Sequence, residues 1–185
     1  MHGMFFSHLR QFCDNYDADT WRAIHQRNGL HVQPYLPITS YPLERFIALF
    51  EGLSDVVSTP RSQLLDAFGS YLLTYPGVNI PAYHRTLQVL EDIPNIEAQM
   101  CERGDAASKP PSITTRRTGE VEVTLGYSSP ARLCALGKGI IRGIAKNFRE
   151  TVTMHEQSCM LLGAPACILI VRRRGTTTTH FKAIK

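Results

Sequence analysis

The sequence lacks the features that mark several large classes of protein. No apolar run approaches the roughly 20 residues that a membrane-spanning helix needs. The opening residues lack the apolar stretch and cleavage site of a signal peptide. We therefore expect a cytoplasmic protein with no membrane association, in which the five cysteines stay reduced. Their odd number also argues against a full set of disulfides.

The sequence also has little excess charge and none of the common catalytic motifs. Its 20 basic and 16 acidic side chains leave a formal net charge of +4, which is too small to indicate a nucleic-acid surface. It contains no G-x-S-x-G, no phosphate-binding glycine loop and no H-E-x-x-H. We therefore expect neither a nucleic-acid partner nor an enzyme.

The pattern of apolar residues predicts helices first and a sheet afterwards. Helical spacing covers five early segments, 4–16, 18–28, 42–57, a segment starting at 59–60, and 81–100. Alternation then predicts strands at 113–118, 120–127, 151–155 and 167–172, with a helix over 132–148 that is rich in small residues. This order indicates an α+β fold, in which one long helix crosses an antiparallel sheet.

We expect a single domain over residues 1–172, followed by a basic, low-complexity tail over 173–185. Within the domain, a helical N-terminal lobe extends to about residue 60 and a C-terminal lobe covers about 61–172. One predicted helix carries an unusual residue, because Pro94 lies inside the amphipathic stretch "VLEDIPNIEAQM". Proline has no N–H to donate and its ring clashes with the preceding turn, so we expect a kink there.

Three cysteines and a histidine in the second half form a candidate metal site. Cys134 opens the long helix, and Cys159 and Cys167 flank a tight turn that a hairpin can close. His155 lies four residues before Cys159. A Cys₃His set is a normal closed shell for zinc. The spacing alone is weak evidence, because free cysteines often only fill a core.

Several blocks of the sequence resemble the H-NOX (haem nitric oxide/oxygen-binding) family. They are "MHGMFF", "DADTWRAI", "SYPLERFIALFEGLSDV", "LLDAFGSYLL", the Pro-Pro pair at 110–111 and "GKGIIRGIAKNF". The resemblance covers about residues 1–172. It implies a helical N-terminal lobe packed on a C-terminal lobe of helix and sheet, with haem held between them by a histidine and by a Y-x-S-x-R motif.

The sequence departs from the family at both haem contacts. The resemblance places Pro94, or in another register Ala98, where the iron-ligating histidine belongs, and no histidine occurs between residues 85 and 154. In the propionate motif, Tyr127 and Ser129 are present, but Ala131 stands where the arginine belongs, and Arg132 comes one place late. We therefore expect no histidine-ligated haem. A substitute axial ligand remains an alternative, with four candidates: Tyr83, His84, Met100 and Cys101.

The resemblance strengthens the zinc hypothesis, because some family members carry a zinc site of three cysteines and a histidine. The spacing C-x24-C-x7-C of Cys134, Cys159 and Cys167 matches that site. The gap between His155 and Cys159 is one residue longer than usual, which makes Glu156 the next-best ligand. The zinc is either purely structural or redox-sensing through its thiolates.

The family resemblance also implies how the protein works. Stand-alone members bind a separate signalling protein, such as a histidine kinase or a cyclic-dinucleotide enzyme, and we expect a partner of that kind. A vacated haem pocket could instead hold an apolar small molecule, or it could be filled by collapse. Its expected lining is apolar: Phe5, Leu72, Leu73, Leu87, Leu90 and Ile93.

Overall fold

The computed structural model describes residues 1–74, 83–102 and 111–176, and it confirms the predicted α+β fold. Along the chain these residues form α1 (Gly3–Cys13), α2 (Thr20–Arg27), α3 (Leu43–Val56), α4 (Arg61–Thr74), α5 (Thr86–Glu102), β1 (Ser112–Gly119), β2 (Glu122–Ser128), α6 (Cys134–Asn147), β3 (Glu150–Ser158), a short 3₁₀ helix (Met160–Leu162) and β4 (Cys167–Thr176).

The first four helices share a hydrophobic core that is rich in aromatic rings. Its fully buried side chains include Phe6 from α1, Phe46 and Phe50 from α3, and Phe68 from α4. These rings meet edge-on or tilted, with centroids 5.0–6.1 Å apart between Phe46 and Phe50 or Phe68, a geometry that favours aromatic pairs. Because α4 belongs to this core, the expected lobe boundary near residue 60 does not coincide with a division of the core.

The four strands form one antiparallel sheet in the order β1-β2-β4-β3. Successive side chains of a strand point to opposite faces. Val123 of β2 and Val171 of β4 are fully buried cross-strand partners on the face that α5 and α6 cover. Leu90 of α5 and Ile144 of α6 belong to the same second core. One face of the sheet is therefore packed against helices.

The α4 and α6 helices touch each other backbone to backbone. A Cβ added at Gly139 would lie 2.0 Å from the carbonyl oxygen of Asp66, and one at Gly69 would lie 2.4 Å from that of Leu136. Since any side chain would clash there, only glycine allows this approach. The contact joins the first core to the helix that crosses the sheet.

The helix that carries Pro94 is continuous. α5 runs from Thr86 to Glu102 with the proline inside it, although Pro94 cannot donate a hydrogen bond to the carbonyl of Leu90. Leu87 and Leu90 are buried against the sheet, and we infer that this packing holds the helix in place. The first two residues of the predicted helix, 81 and 82, lie outside the described residues.

Two predicted boundaries differ from the structure. β4 continues past residue 172 to Thr176, so the first four residues of the expected tail belong to the sheet, because Arg173 and Thr176 pair with Val152 and Glu150 of β3. Residues 177–185 lie outside the described part of the chain. The first hairpin turns at residues 120–121 rather than at 118–119, since Gly119 still pairs with Glu122.

Among the described residues, no helix is both long enough and apolar enough to cross a bilayer.

The close approach of α4 and α6 predicts opposite effects for two alanine substitutions in α6. Gly139→Ala should lower the free energy of unfolding by about 1–3 kcal/mol, because the new methyl group overlaps Asp66. Gly137→Ala should raise it by about 0.5–1 kcal/mol, because nothing lies within 4 Å of the new atom and alanine favours the helix. Urea denaturation measures both. Equal stability of the two variants would contradict the contact.

Candidate metal centre

Three buried cysteines meet where α6 begins and the β3–β4 hairpin turns. The Cys159 Sγ lies 3.9 Å from the Sγ of Cys134 and 3.9 Å from that of Cys167. All three sulfurs are within 4.8 Å of one another, and each residue is 4–6% exposed. Tetrahedral zinc with bonds of about 2.3 Å places its sulfurs about 3.8 Å apart. The spacing therefore suits one metal ion.

The local fold explains how residues so far apart in sequence come together. Cys159 directly follows β3, and Cys167 is the first residue of β4. The connecting turn closes with Gly163 at a φ of +90°, a left-handed conformation that favours glycine. Cys134 is the first residue of α6. The hydroxyl of Tyr127, the cross-strand partner of Cys167, accepts the Leu133 N–H just ahead of that helix, at 3.1 Å.

Burial disfavours the thiolate form of Cys134 and of Cys167. Burial, helped by the neighbouring sulfurs of Cys167 and Cys159, raises the pKa of Cys134 to about 12. Burial also raises the pKa of Cys167, against the lowering effect of the Met160 backbone N–H, which donates to its Sγ at 3.2 Å. A divalent cation would bind the thiolate form and displace the protons. Three adjacent sulfurs favour a soft or borderline metal, as zinc is.

A lysine and a glutamate form an ion pair beside the cysteines. The Lys138 ammonium lies 2.7 Å from the Glu156 carboxylate, and both side chains are about one quarter exposed. Burial lowers the pKa of Lys138, but the Glu156 carboxylate and the sulfurs of Cys134 and Cys159 raise it above its usual value overall. Lys138 was not among the site residues predicted from the sequence. Its position one helical turn after Cys134 was the available signal.

His155 is not part of this cluster. The histidine is exposed and pairs across the sheet with Ile170, whereas Glu156 pairs with Leu169, which packs into the second core. Because neighbouring residues of a strand face opposite ways, His155 points away from the helices and Glu156 points toward them. The structure thus brings together three of the four predicted ligands, and it places Glu156 on the side where the cysteines lie.

The residues expected to mark a haem pocket have other partners. The Tyr127 ring packs against the cysteines. Ser129 is buried, and its hydroxyl accepts the Ala131 N–H at 3.3 Å. Arg132 is exposed, with a φ of +50°, and it lines a surface groove of about 400 Å³ between α4 and α6.

The possible substitute ligands are no better placed. The Tyr83 hydroxyl donates to the Asp92 carboxylate, and this hydrogen bond, with burial second, raises the pKa of Tyr83. His84 is exposed ahead of α5. The side chains of Met100 and Cys101 lie outside the described part of the structure.

The apolar residues expected to line a vacated pocket pack into cores. Phe5 and Leu72 belong to or border the first core, whereas Leu87, Leu90 and Ile93 belong to or border the second, and Leu73 touches both. With no histidine on α5 and Tyr127 engaged elsewhere, the described residues do not fit a histidine-ligated haem.

Comparisons with known proteins agree on one fold. A family model described as Haem-NO-binding matches residues 2–156. The structure of an H-NOX protein from S. oneidensis in the Fe(II)NO ligation state is 20% identical, with a TM-score of 0.84 over 95% of this chain and 100% of that one. The I5F mutant of T. tengcongensis H-NOX is 15% identical, with a TM-score of 0.82 over 96% and 100%. No curated protein sequence matches the chain.

The cysteine cluster predicts which thiols bind a metal. With cobalt(II) added to the metal-free protein, Cys159→Ser should abolish most of the sulfur-to-cobalt charge-transfer absorption, because Cys159 is the common neighbour of the other two sulfurs. Cys13→Ser is the matched control, since Cys13 is equally buried but belongs to the first core. Equal absorption in the two variants would rule out the cluster as the site.

Proposed function

The chain belongs to the Haem-NO-binding (H-NOX) family, and from this premise we propose that it is a sensory module that works through thiolate-bound zinc rather than histidine-ligated haem. The observation that carries the proposal is the convergence of Cys134, Cys159 and Cys167 at zinc spacing. Membership of this family supports a sensory role rather than an enzymatic one.

This chain's own residues argue against haem, the family's usual cofactor. Proline stands on α5 where the resemblance places the iron ligand, and Tyr127 serves α6 and the cysteines instead of a propionate. The apolar side chains around α5 contact the sheet and α6. The signal is therefore proposed to be something other than a gas bound to haem iron.

Zinc would act as a cross-link between separate elements. Cys134 belongs to α6, whereas Cys159 and Cys167 belong to the β3–β4 hairpin, so one ion bound to all three would fasten the helix to the hairpin. Such a site contributes its binding free energy to folding. Zinc binding would also keep these cysteines as thiolates, which is the form that reacts with oxidants.

We propose a peroxide as the oxidant that this site senses. The Cys159 thiolate would attack one peroxide oxygen and break the O–O bond, which gives a sulfenic acid and hydroxide. The thiolate of Cys134 or Cys167 would then attack the Cys159 sulfur, form the S–S bond and expel a second hydroxide. The two sulfurs lose two electrons, the peroxide gains them, and zinc loses two ligands.

Loss of zinc would change the conformation of the surface next to the site. The turn between Cys159 and Cys167 carries Leu161, which is 50% exposed, and Leu162, which is 87% exposed. Leu161 also lines the groove that Arg132 borders. We propose that a separate signalling protein, such as a histidine kinase or a cyclic-dinucleotide enzyme, binds this surface in a reducing, cytoplasmic compartment. We propose neither a membrane nor a nucleic acid as a partner.

Peroxide treatment of the zinc-loaded protein tests this function. We expect about one zinc released for each disulfide formed, with the disulfide always including Cys159, as measured with a chromophoric zinc indicator and by peptide mass. The Met160 amide, which donates to the Cys167 sulfur, should exchange its hydrogen faster after release. Cys13→Ser should behave like the parent protein. Zinc that stays bound through oxidation would show a purely structural site and contradict the sensing role.

A further inference from the structure

We propose that Glu156, and not His155, supplies the fourth ligand of the metal centre. The inference rests on the proposed zinc function and deepens it. Three sulfurs leave one coordination position of a tetrahedral ion to be filled by another group. The carboxylate of Glu156, paired with Lys138 beside the cysteines, is a group of suitable chemistry.

The register of β3 decides between the two neighbours. Glu156 lies opposite Leu169 in the sheet, and Leu169 in turn lies opposite Leu125, which is buried beneath the helices. Cys167 is two residues before Leu169 on β4, and so it lies on the same face. His155 lies opposite Ile170 on the other face and is exposed. Bringing its imidazole to the sulfurs would require the strand to rotate and expose Met154 and Glu156.

The Glu156 carboxylate is held near the cluster by an ion pair. Its Oε1 atom is buried and lies 2.7 Å from the Lys138 ammonium, and that ammonium is near enough to the sulfurs of Cys134 and Cys159 for them to raise its pKa. A buried carboxylate oxygen is costly unless a cation compensates it, and a bound metal ion could take over that role from Lys138. In this structure the Glu156 carboxylate oxygens are not within 4.8 Å of all three sulfurs. Rotation of the Glu156 side chain away from Lys138 and toward the metal would shorten that distance.

Lys138 would then balance the charge of the site. Three thiolates and one carboxylate around a divalent ion carry a net charge of −2, and the Lys138 ammonium stands beside them. An adjacent ammonium offsets part of that charge in a partly buried setting. We infer that Lys138 pairs with the Glu156 carboxylate when the metal is absent, and that it offsets the negative charge of the site when the metal is bound.

Zinc affinity of the full chain, measured by competition with a chromophoric chelator, tests the ligand directly. Glu156→Gln should weaken zinc binding by about 10-fold or more, because the loss of a group that only supports a ligand already costs about 10-fold in metal affinity. Glu156→His should restore it, because imidazole is a normal zinc ligand. His155→Gln should change the affinity less than about 2-fold. Glu122→Gln is the matched control for the loss of an ion pair, because the Glu122 carboxylate is paired with Arg172.

Cobalt(II) spectra separate coordination from mere support of the fold. Glu156→Gln should shift the visible d–d bands, whereas Lys138→Met, which breaks the same ion pair but keeps the carboxylate, should leave the bands in place. A loss of affinity in His155→Gln, or unchanged bands and affinity in Glu156→Gln, would overturn the proposal. If the parent protein binds neither zinc nor cobalt, the proposed function itself fails.

Discussion

The backbone contact between α4 and α6 is the constraint on which the C-terminal half depends. With Gly139 against the backbone of Asp66 and Gly69 against that of Leu136, α6 lies on the first core at a distance that larger residues at these two positions would not allow. Its apolar face, with Ile141 and Ile144, then covers the sheet. Its first residue, Cys134, arrives beside the turn of the β3–β4 hairpin. A packing requirement of glycines thus determines where the sulfurs can meet.

We propose that a cation completes the cluster that results. Burial raises the pKa of Cys134 to about 12, so this thiol is neutral without a metal, and the buried Glu156 carboxylate is paired with Lys138. One divalent ion would satisfy the sulfurs and Glu156 together, and it would tie α6 to the hairpin. The proposed cross-link would also make zinc binding sensitive to oxidation, because two thiolates that form a disulfide no longer bind zinc.

Periodicity was sufficient for the fold class, because helical spacing and strand alternation are local. It also placed Cys159 next to Cys167, since a hairpin brings together residues that flank a tight turn. It could not choose between His155 and Glu156, because a shift of one residue in a strand reverses the face of every side chain, and β3 has an irregularity just after Glu156. Nor could it assign residues 173–176 to β4, since their pairing depends on the position of β3.

The identity of the bound metal tests the account most directly. Zinc and iron would be measured together by elemental analysis of the full chain, purified from cells supplied with a haem precursor. The account predicts about one zinc per chain and negligible iron, because three thiolates at tetrahedral spacing suit zinc and α5 offers no histidine to haem. Stoichiometric iron with the absorption of haem would contradict it and would show that another side chain had taken the place of the missing ligand.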